Sequence, residues 1–284
     1  MKPDAGWAVL MEMNARSIAR GPRGRWLACA GLFGLLAVGA LSLANVRLSR
    51  ADPAAPPVPV IVELFTSEGC SSCPPADDLL SRLVAQQPVP GARIVPLAFH
   101  VDYWDSLGWA DPFSSAAWTA RQRDYAAQMD GRVYTPEAVI QGGHGCVGSD
   151  ARALTDLVRT AAATPVTRVD VTPAGIGSTD GLLHVSIHVG ALEGMRSDHA
   201  DVMLAVTERG LSVAVPRGEN RGKTLAHAPV VHDLRRVGPV TSRGGTFEGS
   251  VSLARVSHPD AVLVVAFVAD GTGGTIVAAG TMNP

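Results

Sequence analysis

The chain has 284 residues, of which 46% are hydrophobic and 18% charged. This is a globular balance that excludes general disorder. Seven of the 24 basic and two of the 26 acidic residues fall in residues 1–51, leaving 17 against 24 in the remainder, a formal net of −7. An acidic surplus there argues against nucleic acid as a partner, for which a basic face is needed.

Residues 1–25 carry Arg16, Arg20, Arg23 and Arg25, and no charged residue occurs from Trp26 to Val46. A basic flank before about 20 apolar residues fits a signal peptide or a single N-terminal membrane anchor, assigned here to residues 1–51. Ser42-Leu43-Ala44 and Ser49-Arg50-Ala51 both offer the small-x-small pattern of a cleavage site. Either way the flanking charge places the remainder outside the cytoplasm, periplasmic or secreted, with inner-membrane anchoring as the uncleaved case. Residues 52–59 are Pro-rich and read as a stiff, extended tether.

Val60-Ile61-Val62-Glu63-Leu64-Phe65 then reads as a buried strand, and the residues after Cys73, with Leu79, Leu80, Leu83 and Val84 on one face, read as a helix. Cys70 and Cys73 therefore sit where a strand hands over to a helix. A helix start stabilises a thiolate through its free N–H groups and partial positive charge, and the thiolate is the nucleophile of disulfide exchange. Cys70 is the expected attacking, more exposed thiol; Cys73 is placed to resolve the mixed disulfide. Cys-x-x-Cys is also half of many zinc sites, but strand-Cys-x-x-Cys-Pro-helix points more strongly to redox work. Of the other cysteines, Cys29 lies in the apolar N-terminal segment and is read as a bystander, while Cys146 among glycines is expected to be a small buried hydrophobe, with a third redox thiol as the alternative.

Arg93 to His100 reads as a second buried strand, so a right-handed βαβ unit with a parallel pair is expected. His100-Val-Asp102 should then emerge beside Cys70, on the edge where such sheets place ligands. Three roles fit His100 and Asp102: a proton relay, metal ligation together with the thiols, or a hydrogen-bonded pair that fixes the loop. A helix over residues 114–129, a short strand opened by Thr135-Pro136, a glycine turn and a last helix to about Ala163 follow. Trp104, Trp109 and Trp118 are read mainly as core, with a groove beside the thiols as the alternative.

This order resembles the thioredoxin fold. The motifs Val62 to Asp77, containing Cys-Ser-Ser-Cys-Pro-Pro-Ala-Asp, His100-Val-Asp-Tyr-Trp-Asp105, Gly108-Trp109 and Tyr134-Thr-Pro136 resemble an exported bacterial thioredoxin-like family of unknown function. The resemblance reaches Gly218-Glu-Asn-Arg-Gly222 and Leu225-Ala-His227. It implies that Glu63 serves as proton acceptor for the resolving cysteine, since burial in an apolar strand should raise a carboxylate pKa; the alternative is that Glu63 faces the sheet edge and pairs with an Arg. It also implies a cis Thr135-Pro136 bond, with Thr135 offering its backbone to an extended client.

From Pro165 onward the pattern is about eight short period-two strands with Gly, Asp and Pro turns, which predicts a β-sandwich. Gly218–Gly222 reads as a turn or as a loop docking on a partner or on the thiol domain through Arg221. Apart from the strand-compatible pair His184 and His188, the six histidines of this half show no tight ligand spacing, and no metal site is placed there.

The expected architecture is thus an α/β thioredoxin-like domain over residues 60–164 followed by an all-β sandwich-like domain over 165–284. The expected function is thiol-disulfide exchange by Cys70 and Cys73 on a protein or small-thiol client, with Glu63 catalytic, Thr135, Pro136, His100 and Asp102 binding substrate, and no cofactor. Two alternatives stand beside it. One is a soft-metal module holding Cu(I) through Cys70, Cys73 and His100; the other is a non-catalytic assembly module.

Overall fold

Apolar residues fill both faces of the first strand, β1 (Val58–Thr66), which is buried from Val60 to Thr66. The computed structural model describes residues 56–283 except 130, 177–180, 194 and 272–273. The N-terminal segment to Ala51, Cys29 and the first part of the tether lie outside the described residues. Val60, Val62 and Leu64 pack under α1 (Pro74–Gln86) and α3 (Ala151–Ala162), while Ile61 and Phe65 face the side of α2 (Ala116–Gln128). Pro74 and Pro75 open α1, where the missing N–H is not needed and the fixed φ suits a helix start.

β1 pairs in parallel with β2 (Ala92–His100), bringing Thr66 level with His100, and antiparallel with β3 (Glu137–Ile140), which continues to β4 (His144–Val147). On its other side β2 meets β10 (Val230–Val240) in parallel, through Ala98 and Val230. Around β10 lie β5 (Thr167–Ile176), β6 (Leu182–Val189), β7 (Ala200–Glu208), β11 (Gly245–Ser252), β12 (Val262–Asp270) and β13 (Ile276–Met282). All eleven belong to one sheet of order β11-β6-β5-β13-β12-β7-β10-β2-β1-β3-β4. A separate hairpin pairs β8 (Ser212–Ala214) with β9 (Thr224–Ala226).

This overturns the expected fold class. The described chain is mostly strand, with three α-helices, and is not an α/β thioredoxin-like domain followed by a detached sandwich. Residues 52–284 form one compact unit. The cause is visible in β7 and β12, which are apolar on both faces. Val202, Leu204, Val206, Val264, Ala266 and Val268 fill a core enclosed as the sheet curls and β11 packs back on β10 and β7. Ala205, Val265 and Phe267 point the other way and share a core with Ile61, Phe65, Phe99, Trp118 and Tyr125. Two strands that bury both faces must have protein on both sides. No helix among the described residues is long and apolar enough to cross a membrane.

Candidate active site

At the C-terminal end of β1 the chain turns through Ser67-Glu68-Gly69 into Cys70, and Cys73 caps α1 without a side-chain hydrogen bond. Cys70 and Cys73 form a disulfide across a Cα separation of 5.5 Å. Both are buried, with 0% and 1% exposure, whereas Ser71 and Ser72 between them are exposed. Cys70 is therefore not the exposed thiol expected, and the loop joining β8 to β9 is hydrogen-bonded to the backbone of this segment. Asn220 donates from Nδ2 to the carbonyls of Glu68 (2.9 Å) and Cys70 (3.0 Å), and Glu219 Oε2 accepts from the Ser71 N–H (3.1 Å). Gly218 lets this strap approach: its φ is +78°, and a Cβ there would stand 3.2 Å from that of Trp109. The loop thus docks on the thiol segment as one of its two readings expected, but through Glu219 and Asn220 rather than Arg221.

Thr135-Pro136 is a cis peptide. Trp104 ties this segment to the thiol loop, since its Nε1 donates to Thr135 Oγ1 at 2.9 Å and its Cβ backs Gly69, where an added Cβ would meet it at 2.9 Å. Gly148 leaves room for Pro136, Leu64 and Ala76 to converge at the first turn of α1. Of the other tryptophans, Trp118 is core against Phe99, and Trp109 donates to Glu68 Oε2 at 2.6 Å.

Of the two readings of Glu63, the pairing with an arginine is the one found, though on a strand inside the sheet rather than at its edge. It lies on the α2 face of the sheet, opposite α1, where Arg121 Nε and Nη2 donate to it at 2.6 and 2.8 Å and the Tyr125 hydroxyl at 2.6 Å. The Arg121 guanidinium also sits over the rings of Phe99, Tyr125 and Phe267. Three hydrogen bonds from Arg121 and Tyr125 thus hold this carboxylate on the face of the sheet away from α1. The acid on the thiol side is Asp77, four residues beyond Cys73 and hence on the same face of α1. Its Oδ2 accepts from Thr66 Oγ1 at 2.7 Å and its Oδ1 from the Ala228 N–H at 3.1 Å. Burial raises the Asp77 pKa above the ordinary carboxylate value, against the opposing pull of His100 and the Thr66 hydrogen bond.

His100 and Asp102 do not pair. Asp102 Oδ1 accepts from Thr119 Oγ1 at 2.6 Å and fixes the start of α2, while His100 Nδ1 lies 2.7 Å from Asp111 Oδ2. Burial works to lower the His100 pKa, but Asp111, followed by Asp77 and Glu68, outweighs it and raises the net value. With 1% of its surface exposed, His100 cannot touch a docked client in this conformation. It belongs instead to a buried network: Asp111 Oδ2 also accepts from the Glu68 N–H at 2.8 Å, and Glu68 Oε1 lies 3.0 Å from His227 Nε2. Asp77, His100 and His227 stand together, with one ligand-capable atom each within 4.8 Å of the others. Cys146 is a free, half-buried thiol on β4 that burial, then Asp150 and Glu137, push up to about 11, so it is protonated at neutral pH.

Asp77, Glu68, His227, Glu219 and Asn220 were not singled out as site residues by sequence reasoning. Asp77 carried a usable signal, its four-residue offset from Cys73, while His227 and Asn220 lie about 150 residues from the thiols and carried none beyond their motifs.

Residues 61–269 match the family described as protein of unknown function, DUF1223, and the chain belongs to this family. The match itself carries no thioredoxin-like assignment. The crystal structure of protein AGR_C_4864 from Agrobacterium tumefaciens is 30% identical with a TM-score of 0.61, over 81% of this chain and 96% of that one. HBP35 of Porphyromonas gingivalis is similar in fold, with 13% identity and a TM-score of 0.59, over 81% of this chain and 76% of that one. No curated protein matches the chain.

Proposed function

We propose that this DUF1223 protein is a thiol-disulfide oxidoreductase that works outside the cytoplasm on a protein or small-thiol client. The observation that carries the reading is the Cys70–Cys73 disulfide closed between the end of β1 and the first turn of α1. In the oxidised state a client thiolate attacks Cys70 Sγ, a client–Cys70 disulfide forms, and Cys73 leaves as a thiolate stabilised by the helix start. A second client thiolate then attacks the client sulfur of the mixed disulfide. The client departs oxidised, and Cys70 leaves as a thiolate that takes up a proton. Two electrons pass to the cysteine pair, and the reverse sequence returns them. The basic flank and apolar run before residue 52 support the compartment, because disulfides persist there.

Burial of both sulfurs favours a second reading, a purely structural bridge. By chain entropy a loop of about four residues yields about 2 kcal/mol, the low end of the usual range for a stabilising bridge. For exchange, the strap held by Asn220 and Glu219 has to lift. Thiol exchange with a reduced model peptide decides between the readings. Cys70→Ser is expected to abolish exchange, and Cys73→Ser to trap a peptide adduct through Cys70, mapped by mass spectrometry. If the wild-type disulfide resists reduction until the protein unfolds, the bridge is structural.

A further inference from the structure

From the geometry we infer that Asp77, His100 and His227 form a binding site for a divalent transition-metal ion, with Asp77 one turn of α1 beyond Cys73 and the site chemically independent of the disulfide. Among the described residues this is the one group of three ligand-type side chains close enough to share an ion, and all three are buried. They come from α1, the end of β2 and the turn after β9, so folding assembles the site from both halves of the chain.

The donor set suits a metal in three respects. First, each histidine has one ring nitrogen held by a carboxylate: His100 Nδ1 by Asp111 at 2.7 Å and His227 Nε2 by Glu68 at 3.0 Å. That is the outer-shell arrangement that orients metal-ligating imidazoles and makes them better donors. Second, His100 Nε2 is buried without a hydrogen-bond partner among the described residues. A buried polar atom left unsatisfied is destabilising, and a bound ion removes that cost. Third, the Asp77 carboxylate is oriented by Thr66 Oγ1 and the Ala228 N–H and still has lone pairs to give. Donors bound at about 2.1 Å around one tetrahedral ion stand about 3.4 Å apart, so the cluster closes by little more than 1 Å on ligation. Two imidazoles and a carboxylate select a borderline ion such as Zn²⁺ over the soft Cu(I) that thiolates prefer. Three protein ligands leave a further position for water or a substrate atom.

The test uses the full-length protein, oxidised and with its remaining thiols alkylated, so that no cysteine can ligate and the outcome does not depend on exchange activity. Titration with Zn²⁺ against a chromophoric chelator is expected to show one tight equivalent. His100→Ala and Asp77→Asn should weaken it by about 100-fold. Because these variants remove buried groups, Glu68→Gln and Asp111→Asn provide a second arm; they leave all three ligands in place and should weaken binding by about 10- to 100-fold. Circular dichroism identifies the folded variants. The site is disproved if folded wild-type protein takes up no Zn²⁺, or if affinity is unchanged in the folded ligand or outer-shell variants.

Discussion

Glu63 and Arg121 illustrate how partners, rather than strand position, set what a buried carboxylate does. Glu63 has no exposure and receives three charge-assisted or hydroxyl hydrogen bonds. Its loss leaves Arg121 charged and largely enclosed by aromatic rings. Breaking one side of a buried pair costs about 3–5 kcal/mol, so Glu63→Gln is expected to lower unfolding free energy by about that amount in urea titrations. Adding Arg121→Gln should restore part of it, since the two losses are coupled. A change in exchange rate without a change in stability would instead give Glu63 the catalytic part. The sequence showed that this strand was buried, but not which face Glu63 took; that depends on Arg121 and Tyr125, 58 and 62 residues away. The same limit applies to His100, whose real partner, Asp111, competes with the nearer and equally plausible Asp102. Cys70 and Cys73 were legible because their spacing and the strand-to-helix switch are both local.

At the scale of elements, the joint between β7 and β10 is the clearest pH-sensitive feature outside the candidate active site. Glu208 ends β7 and His232 lies in β10, with His232 Nε2 2.8 Å from Glu208 Oε2; His258 Nδ1 lies 2.8 Å from Oε1, and the Ser257 and His258 N–H groups also donate. Burial acts to raise the Glu208 pKa, but the Ser257 N–H, His232 and His258 hold it below its ordinary 4.5. Burial lowers His232 below 6.5, and the attraction of Glu208 does not offset this; Arg255 and His100 push it the same way. Both shifts have one sign in linkage. Below pH 6.5 the unfolded chain takes up a proton on His232 that the folded chain refuses, and below 4.5 the same holds for Glu208. Stability contributed by these groups is therefore present at neutral pH and lost on acidification. Urea midpoints should fall from pH 7 to pH 4, and His232→Gln should flatten the slope just below about 6.5 by up to about 1.4 kcal/mol per pH unit. An unaltered slope would remove His232 from the account. None of this was visible in chain order, where the histidines of the second half, His184 and His188 apart, showed no ligand-like spacing. Nor could local pattern reveal the strap: Gly218 and Gly222 signal turns, but not what the turn covers.

At the scale of the whole molecule, the sequence made the two halves look separate because their patterns differ, helices alternating with strands before Pro165 and strands alone after it. Such a reading treats each strand as having one dry face. β7 and β12 have two, and an uninterrupted apolar run such as Val262-Leu-Val-Val-Ala-Phe-Val268 is the available sign that both faces are covered. The second half therefore completes the first. Val265, Phe267 and Ile276 pack on the same core as Ile61, Phe65 and Phe99, and β10 extends the sheet beyond β2. Each of those three side chains contributes about 1.5–3 kcal/mol when fully buried, so together they supply about 5–9 kcal/mol, comparable with the 5–15 kcal/mol stability of an ordinary protein. A fragment of residues 52–164 loses that contribution, exposes the α2 face of its core and leaves the edge of β2 unpaired, an invitation to aggregation. It also loses His227, Glu219 and Asn220, which close the thiol segment. The fragment is expected to show no cooperative thermal transition and to be digested by trypsin under conditions that leave residues 52–284 intact. A sharp melt at the temperature of the longer chain would mean that the first half folds alone and that the shared core is only a docking surface.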